Sequence, residues 1–214
     1  MYSSILFDFD GTLIDTNELI IFSLNEAAKT FLGKEIPKEV LHTILGKALE
    51  EQMKLLSEDY YPQMVLHYKE CYLSNRDRMI REFHGVREML QKLKTLGCQT
   101  AIVSAKGRSG IEHGLDFFGM REFIDVIISA YDVKNSKPHP EPALKALELL
   151  GAEAGNSLMV GDSPYDILCG KNAGIKTVLV DWTLFPKKYF MESLPDFRID
   201  TPDALIAIIQ SSIV

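Results

Sequence analysis

Ile5-Leu6-Phe7-Asp8-Phe9-Asp10-Gly11-Thr12-Leu13 joins an apolar run to two acidic residues and a glycine. The run Ile5–Phe9, short, apolar and broken by Gly11, has the pattern of a buried strand. Four more runs rich in Val and Ile come later, at Thr100–Ser104, Val126–Ser129, Ser157–Val160 and Thr177–Val180. Between them the apolar residues change to helical spacing. Val86, Met89, Leu90, Leu93 and Leu96 share a face and stop at Gly97, and Ala143, Leu144, Leu147 and Leu150 stop at Gly151. A shorter helix is expected from Tyr165 to Ala173, ending at Gly174. Strands alternating with helices predict an α/β fold, a Rossmann-like doubly wound parallel sheet with helices on both faces.

Residues 17–80 read differently, because no β-rich run occurs there. Ile20, Leu24, Ala27 and Phe31 lie at helical spacing, as do Val40, Leu41, Ile44 and Leu45, and then Tyr61, Val65, Tyr68 and Tyr72. Such stripes are ordinarily core packing. The expected organisation is an α/β core from residues 1–15 and 81–214 and an inserted all-α domain over 16–80. The chain should cross between them near Leu13–Asn17 and Arg78–His84.

With 46% hydrophobic and 25% charged residues, the 214-residue chain is neither disordered nor collagen-like. No apolar run reaches the roughly 20 residues of a membrane-spanning helix. The start of the chain shows no basic region leading into an apolar stretch, so no secretory signal is expected. The net charge is −7, of which residues 17–80 contribute −2 and the rest −5. A field of that sign attracts neither nucleic acid nor anionic lipid. Cys71, Cys98 and Cys169 form no CxxC pair and no disulfide framework, which fits packing roles in a reducing cytoplasm.

Chemistry concentrates at strand ends, where open parallel sheets collect their reactive groups. Asp8 and Asp10 can hold a hard cation and leave one oxygen free to attack, and the Gly11 and Thr12 N–H groups can meet an anion. The same pair can equally cap a turn. Ser104 ends the second strand with a hydroxyl, the Ala105 N–H beside it; a helix cap is the plainer reading. Lys137 lies in Ser136-Lys137-Pro138-His139-Pro140-Glu141, where the prolines fix the backbone and aim the ammonium. A solvated lysine would look the same. Gly161-Asp162-Ser163-Pro164-Tyr165-Asp166 adds two carboxylates, or a turn.

In type, order and strand-end placement these four elements resemble the four motifs of the haloacid dehalogenase-like hydrolase superfamily. The helical insert resembles that family's small α-helical cap. The resemblance implies that Asp8 attacks phosphorus to form an aspartyl-phosphate. Asp10 would protonate the leaving group and then deprotonate the hydrolysing water. It implies that Ser104, Ala105 and Lys137, with Gly11 and Thr12, bind the phosphoryl group. Mg²⁺ would be held by Asp8, the Asp10 backbone carbonyl and Asp162, with Asp166 behind them. The core's acidity then marks a missing cation, since Asp8, Asp10, Asp162 and Asp166 carry four of its five net negative charges.

Within the family, Asp10 stands where carbon-attacking dehalogenases carry a non-acidic residue. The Lys-Pro-His-Pro-Glu-Pro run and Gly-Asp-Ser-x-x-Asp are similar to the phosphoglycolate phosphatase branch. Asp15-Thr16-Asn17-Glu18-Leu19-Ile20-Ile21, with Lys106 two places after Ser104, is similar to its inorganic pyrophosphatase members. The expected activity is hydrolysis of a small phosphorylated metabolite, phosphoglycolate or pyrophosphate, in the cytoplasm, by a monomer or homodimer with no nucleic-acid or membrane partner. A sugar-phosphate mutase of the β-phosphoglucomutase type is the alternative, and an inactive regulatory module a more distant one. In the cap, Lys47 of Leu45-Gly46-Lys47 is a candidate specificity residue, or a solvated lysine. The five histidines show no metal-ligand spacing. His139 sits close enough in sequence to orient Lys137, and Trp182 reads as an anchor for the core edge.

Overall fold

A computed structural model of the chain describes residues 2–211. In chain order its elements are β1 (Ser4–Phe7), β2 (Ile14–Asp15), α1 (Asn17–Leu32), α2 (Lys38–Ile44), α3 (Leu49–Leu56), α4 (Tyr61–Met79), β3 (Arg81–Glu82), α5 (Val86–Thr95), β4 (Gln99–Val103), α6 (Arg108–Phe117), β5 (Val126–Ile128), α7 (Glu141–Leu150), β6 (Ser157–Gly161), α8 (Pro164–Asn172), β7 (Lys176–Val180), β8 (Phe197–Ile199) and α9 (Pro202–Ser211). The chain divides into two compact units, one running to Ile14 and resuming at Glu82, the other spanning Asp15–Arg81.

In the first unit six parallel strands run in the order β5-β4-β1-β6-β7-β8. The first strand made thus lies in the interior of the sheet, and all four of its residues are buried. Register aligns the strand ends. Phe7 stands opposite Ile102 on one side and Val160 on the other, and Val103 stands opposite Ile128. Asp8 and Ser104, just beyond these, and Asp162, which follows Gly161 at the end of β6, therefore leave the sheet at the carboxyl ends of its strands. One face of the sheet packs Leu6, Ala101, Val103, Ile128 and Met159 against Ala143, Ala146 and Leu147 of α7 and Cys169 of α8. That apolar layer holds the strand ends rigid beneath the loops that carry the acidic residues.

In the second unit α1 and α3 both pack on α4. Its interior is built from Leu19, Leu24, Ala27 and Ala28 of α1, Met53 of α3, and Met64, Val65 and Tyr72 of α4. The Tyr68 ring stacks on Tyr72 with centroids 5.8 Å apart, and Phe31 meets His67 edge-on at 6.0 Å. These are packing contacts, as the helical spacing predicts. Val40, by contrast, is exposed although it belongs to the expected α2 stripe.

Several elements are absent from the sequence expectation, each for a local reason. The helix α6, Arg-Ser-Gly-Ile-Glu-His-Gly-Leu-Asp-Phe, carries two glycines and buries only Ile111, Gly114 and Leu115. The helix α3 buries only Gln52 and Met53. The strand β8 is three residues long with a single buried position, and α9 lies beyond the last motif. The first strand also ends earlier than expected, at Phe7, because the Phe9 carbonyl turns to accept the Leu13 and Ile14 N–H groups at 3.0 and 3.2 Å. None of the described cysteines is in a disulfide, and no described helix is long and apolar enough to cross a membrane.

Candidate active site

The loop after β1 starts as an extension of the ladder: the Asp8 N–H donates to the Val160 carbonyl at 2.9 Å. Asp8 Oδ1 accepts a bond from Lys137 Nζ at 2.7 Å. The Gly11 N–H, expected to face an anion, donates instead to the Ile14 carbonyl at 2.8 Å, closing the loop on itself. The Thr12 N–H makes only a long 3.4 Å contact to the Phe9 carbonyl, and its buried hydroxyl has no hydrogen-bond partner among the described residues. Trp182 Nε1 donates to the Thr12 carbonyl at 3.4 Å, and its ring lies against Phe83. Trp182 is thus an anchor of this loop.

Lys137 is the centre of the arrangement. Its side chain is 3% exposed, and its three donors are all used: Asp8 Oδ1 at 2.7 Å, Asp166 Oδ1 at 2.6 Å and the Val103 carbonyl at 3.0 Å. The His139 ring makes none of these bonds. That ring is exposed and accepts the Glu141 N–H at 3.1 Å. Burial opposes the lysine's charge, yet Asp166 and Asp8 outweigh it and hold the ammonium above its ordinary range.

Asp166 shows why the lysine stays there. It occupies the third position of α8 and closes a capping box with Ser163. Its Oδ2 accepts the Ser163 N–H at 2.9 Å and the Ser163 hydroxyl at 2.6 Å, leaving Oδ1 for Lys137. Gly161 makes room for this fully buried carboxylate, because a Cβ there would stand 2.3 Å from Asp166 Cβ and 2.4 Å from its Cγ. Gly161→Ala is therefore expected to displace Asp166 and destabilise the fold by about 1–3 kcal/mol, the range for overpacking a close-packed site. Chemical denaturation measures it; an unchanged midpoint would show that Asp166 yields freely.

Carboxylate oxygens of Asp8, Asp162 and Asp166 all lie within 4.8 Å of one another. Burial drives the Asp8 carboxyl up to about 7; Lys137 pulls against the rise, while Asp166 and Asp10 add to it. Burial, then the neighbouring Asp166 and Asp8, hold Asp162 well above the ordinary carboxylate value. Among the described residues no hydrogen bond reaches the Asp162 carboxylate, whereas both Asp166 oxygens are engaged. Three buried carboxylates around one ammonium form an oxygen-donor set short of positive charge, which suits a hard divalent cation.

Ser104 and Ala105 come after β4 at the same end of the sheet. The Ser104 N–H donates to the Ile128 carbonyl at 3.0 Å, and its buried hydroxyl accepts the Lys106 N–H at 3.3 Å. Lys106 reaches Asp10, with Nζ 3.0 Å from Oδ1 and 3.1 Å from Oδ2. Sequence reasoning noted Lys106 only as a point of likeness and missed this pairing; its two-residue spacing from Ser104 is the signal available. Lys47 belongs to the other unit, on the turn between α2 and α3, where it pairs with Glu51 and its carbonyl accepts Gln52 Nε2 at 2.7 Å.

Residues 5–180 match the family model described as haloacid dehalogenase-like hydrolase. The pyrophosphatase PpaX of Bacillus cereus is 38% identical over 209 residues, covering 98% of this chain and 97% of the relative. Among solved structures, a candidate haloacid dehalogenase-like hydrolase from Bacteroides fragilis is similar with a TM-score of 0.88 at 27% identity, covering 96% of this chain and 100% of the other. A candidate phosphoglycolate phosphatase from Lactobacillus plantarum shares the fold at 24% identity, with a TM-score of 0.86 over 97% of this chain and 99% of its own.

Proposed function

The chain belongs to the haloacid dehalogenase-like hydrolases, and from that premise we propose that it hydrolyses a small phosphorylated metabolite through a phosphorylated Asp8. The observation that carries this reading is the buried Lys137 bridging Asp8 and Asp166 at the strand ends, with Asp162 beside them. A carboxylate attacks an anionic phosphate only where its charge is offset, and this end of the sheet is built to gather cations.

Asp8 forms a bond to phosphorus while the leaving group departs with the electron pair of its P–O bond. Asp10 supplies a proton to that group and takes one from the water that later frees Asp8. Lys137 exchanges its bond to Asp8 for one to a phosphoryl oxygen, and the Ser104 hydroxyl and the Ala105 N–H bind others. Asp8, the Asp10 carbonyl and Asp162 would hold Mg²⁺, which supplies charge neutralisation at the phosphoryl group. Asp166 acts at one remove, by holding Lys137. The helical unit serves as a cap that selects the substrate, with Lys47 its candidate cation, and the enzyme acts in the cytoplasm as a monomer or homodimer.

Pyrophosphate is the preferred substrate in this reading, supported by the near-complete span of the 38% identical pyrophosphatase. Phosphate release from pyrophosphate, phosphoglycolate and sugar monophosphates, measured with Mg²⁺, tests it. The specificity constant for pyrophosphate should exceed the others by at least about tenfold, a difference of roughly 1.4 kcal/mol, and excess chelator should stop all turnover. Full rate in chelator would remove the metal assignment. Conversion of a sugar phosphate to its isomer without phosphate release would replace hydrolysis with mutase chemistry.

A further inference from the structure

Lys106 is the second lysine brought to an aspartate at the strand ends, less buried than Lys137 but held on both oxygens of its partner. Both partners are largely shielded from solvent, at 12% exposure for the Lys106 side chain and 19% for Asp10. Its backbone is pinned at both ends, the N–H on Ser104 Oγ and the carbonyl accepting the Ala130 N–H at 3.0 Å. The aliphatic stem crosses α6 at Gly110, where a Cβ would stand 2.8 Å from Lys106 Cε and 3.3 Å from Cδ. The ammonium meets both oxygens of Asp10 almost equally. A pinned backbone, a groove left by glycine and a two-oxygen contact are unlike a surface lysine that shares its charge with water.

We propose that Lys106 is a positioning residue for the second half of the reaction, holding the Asp10 carboxylate toward the water that hydrolyses the phosphorylated Asp8. The inference rests on the aspartyl-phosphate reading above. In that step the water oxygen bonds to phosphorus and its proton passes to Asp10. The P–O bond to Asp8 breaks, and its electron pair returns to the Asp8 carboxylate. Holding the base fixed lowers the ordering cost of the step in which it must meet the attacking water.

The test uses p-nitrophenyl phosphate, whose good leaving group makes phosphorylation of Asp8 easy and leaves hydrolysis of the phosphoenzyme exposed. In Lys106→Met, kcat should fall by about tenfold or more, within the range by which a positioned acid or base contributes. KM should change far less. A burst of p-nitrophenolate, close to one per enzyme, should precede the steady rate, and quenched protein should show a species heavier by one phosphoryl group. Lys106→Arg, which keeps a cation and two donors, should restore most of the rate. Gly110→Ala should push the stem aside and give a smaller burst, yet melt at or above the parent temperature, because alanine favours a helix over glycine.

An unchanged kcat in Lys106→Met, or a loss with no burst and no phosphorylated species, would overturn the inference. If Lys106→Met does not fold, Gly110→Ala decides it by the same readouts. Asp8→Asn separates the two levels. Turnover that persists in that variant removes the phosphoenzyme and this role together, whereas an inactive Asp8→Asn beside a Lys106→Met without a burst removes the role of Lys106 alone.

Discussion

Asp8→Asn is expected to lower phosphate release by about 10³-fold or more, the scale seen when a covalent nucleophile is removed and only binding and electrostatics remain. Asparagine keeps the shape of the side chain but offers phosphorus no anionic oxygen. The same substitution should not weaken the fold. Burial, with Asp166 and Asp10 nearby, lifts the Asp8 carboxyl from the ordinary 3.8 to about 7. An acid raised in this way favours the folded state while it keeps its proton. That advantage is complete below about 4 and lost as pH rises to about 7. The metal-free parent should therefore lose stability across this window, and Asp8→Asn should flatten that part of the profile. Melting in chelator at pH 5 and pH 7.5 measures both. A variant that unfolds more easily than the parent at pH 7.5 would contradict the electrostatic account, and retained turnover would end the mechanism.

The second large effect belongs to Lys137. Lys137→Met strips the cation from Asp8 and Asp166 and leaves the Val103 carbonyl without its buried donor. Removing one member of a buried ion pair costs about 3–5 kcal/mol, mostly from the charge left behind. Turnover should fall with it, because the same ammonium is the candidate phosphoryl ligand. Adding Asp166→Asn to Lys137→Met should recover part of the stability, with a coupling on the order of 0.5–3 kcal/mol, but none of the turnover. The amide that Asp166→Asn introduces would still accept from Ser163 while no longer burying a charge. Denaturant titration of the two single variants and the double variant measures the cycle. Strict additivity would show that Lys137 and Asp166 act independently despite their 2.6 Å contact.

The sheet was legible because its strands are continuous apolar runs, and the acidic residues could be placed because they come directly after those runs. Register then carried Asp8, Ser104 and Asp162 to one end of the sheet with little further information needed. Asp166 was assigned a supporting place on resemblance alone. Its capping box is written in Ser163-Pro164-Tyr165-Asp166, but the 2.6 Å bond to a lysine 29 residues earlier is set by how α8 packs, and no local pattern encodes that. Lys106 escaped for a similar reason: its partner lies 96 residues away. The helix α6 was missed because the glycine that makes room for the Lys106 stem also weakens the helical signal. Local propensity and the geometry of the site disagree there, as they tend to at functional positions.

The sheet order has a bearing on how the protein is made. The strand β1, which ends at the candidate nucleophile, pairs with β4 on one side and β6 on the other. A ribosome adding about 5–20 residues per second emits β1 at the outset and reaches Gly161 only about 8–30 seconds later. Through that interval an apolar strand waits with at least one open edge, and the site has no fourth motif to complete it. Early exposure of this kind is the situation in which nascent chains meet chaperones or one another. The interior placement that carries Asp8 into the middle of the finished sheet also gives its strand the longest wait, of the interior strands, between synthesis and enclosure.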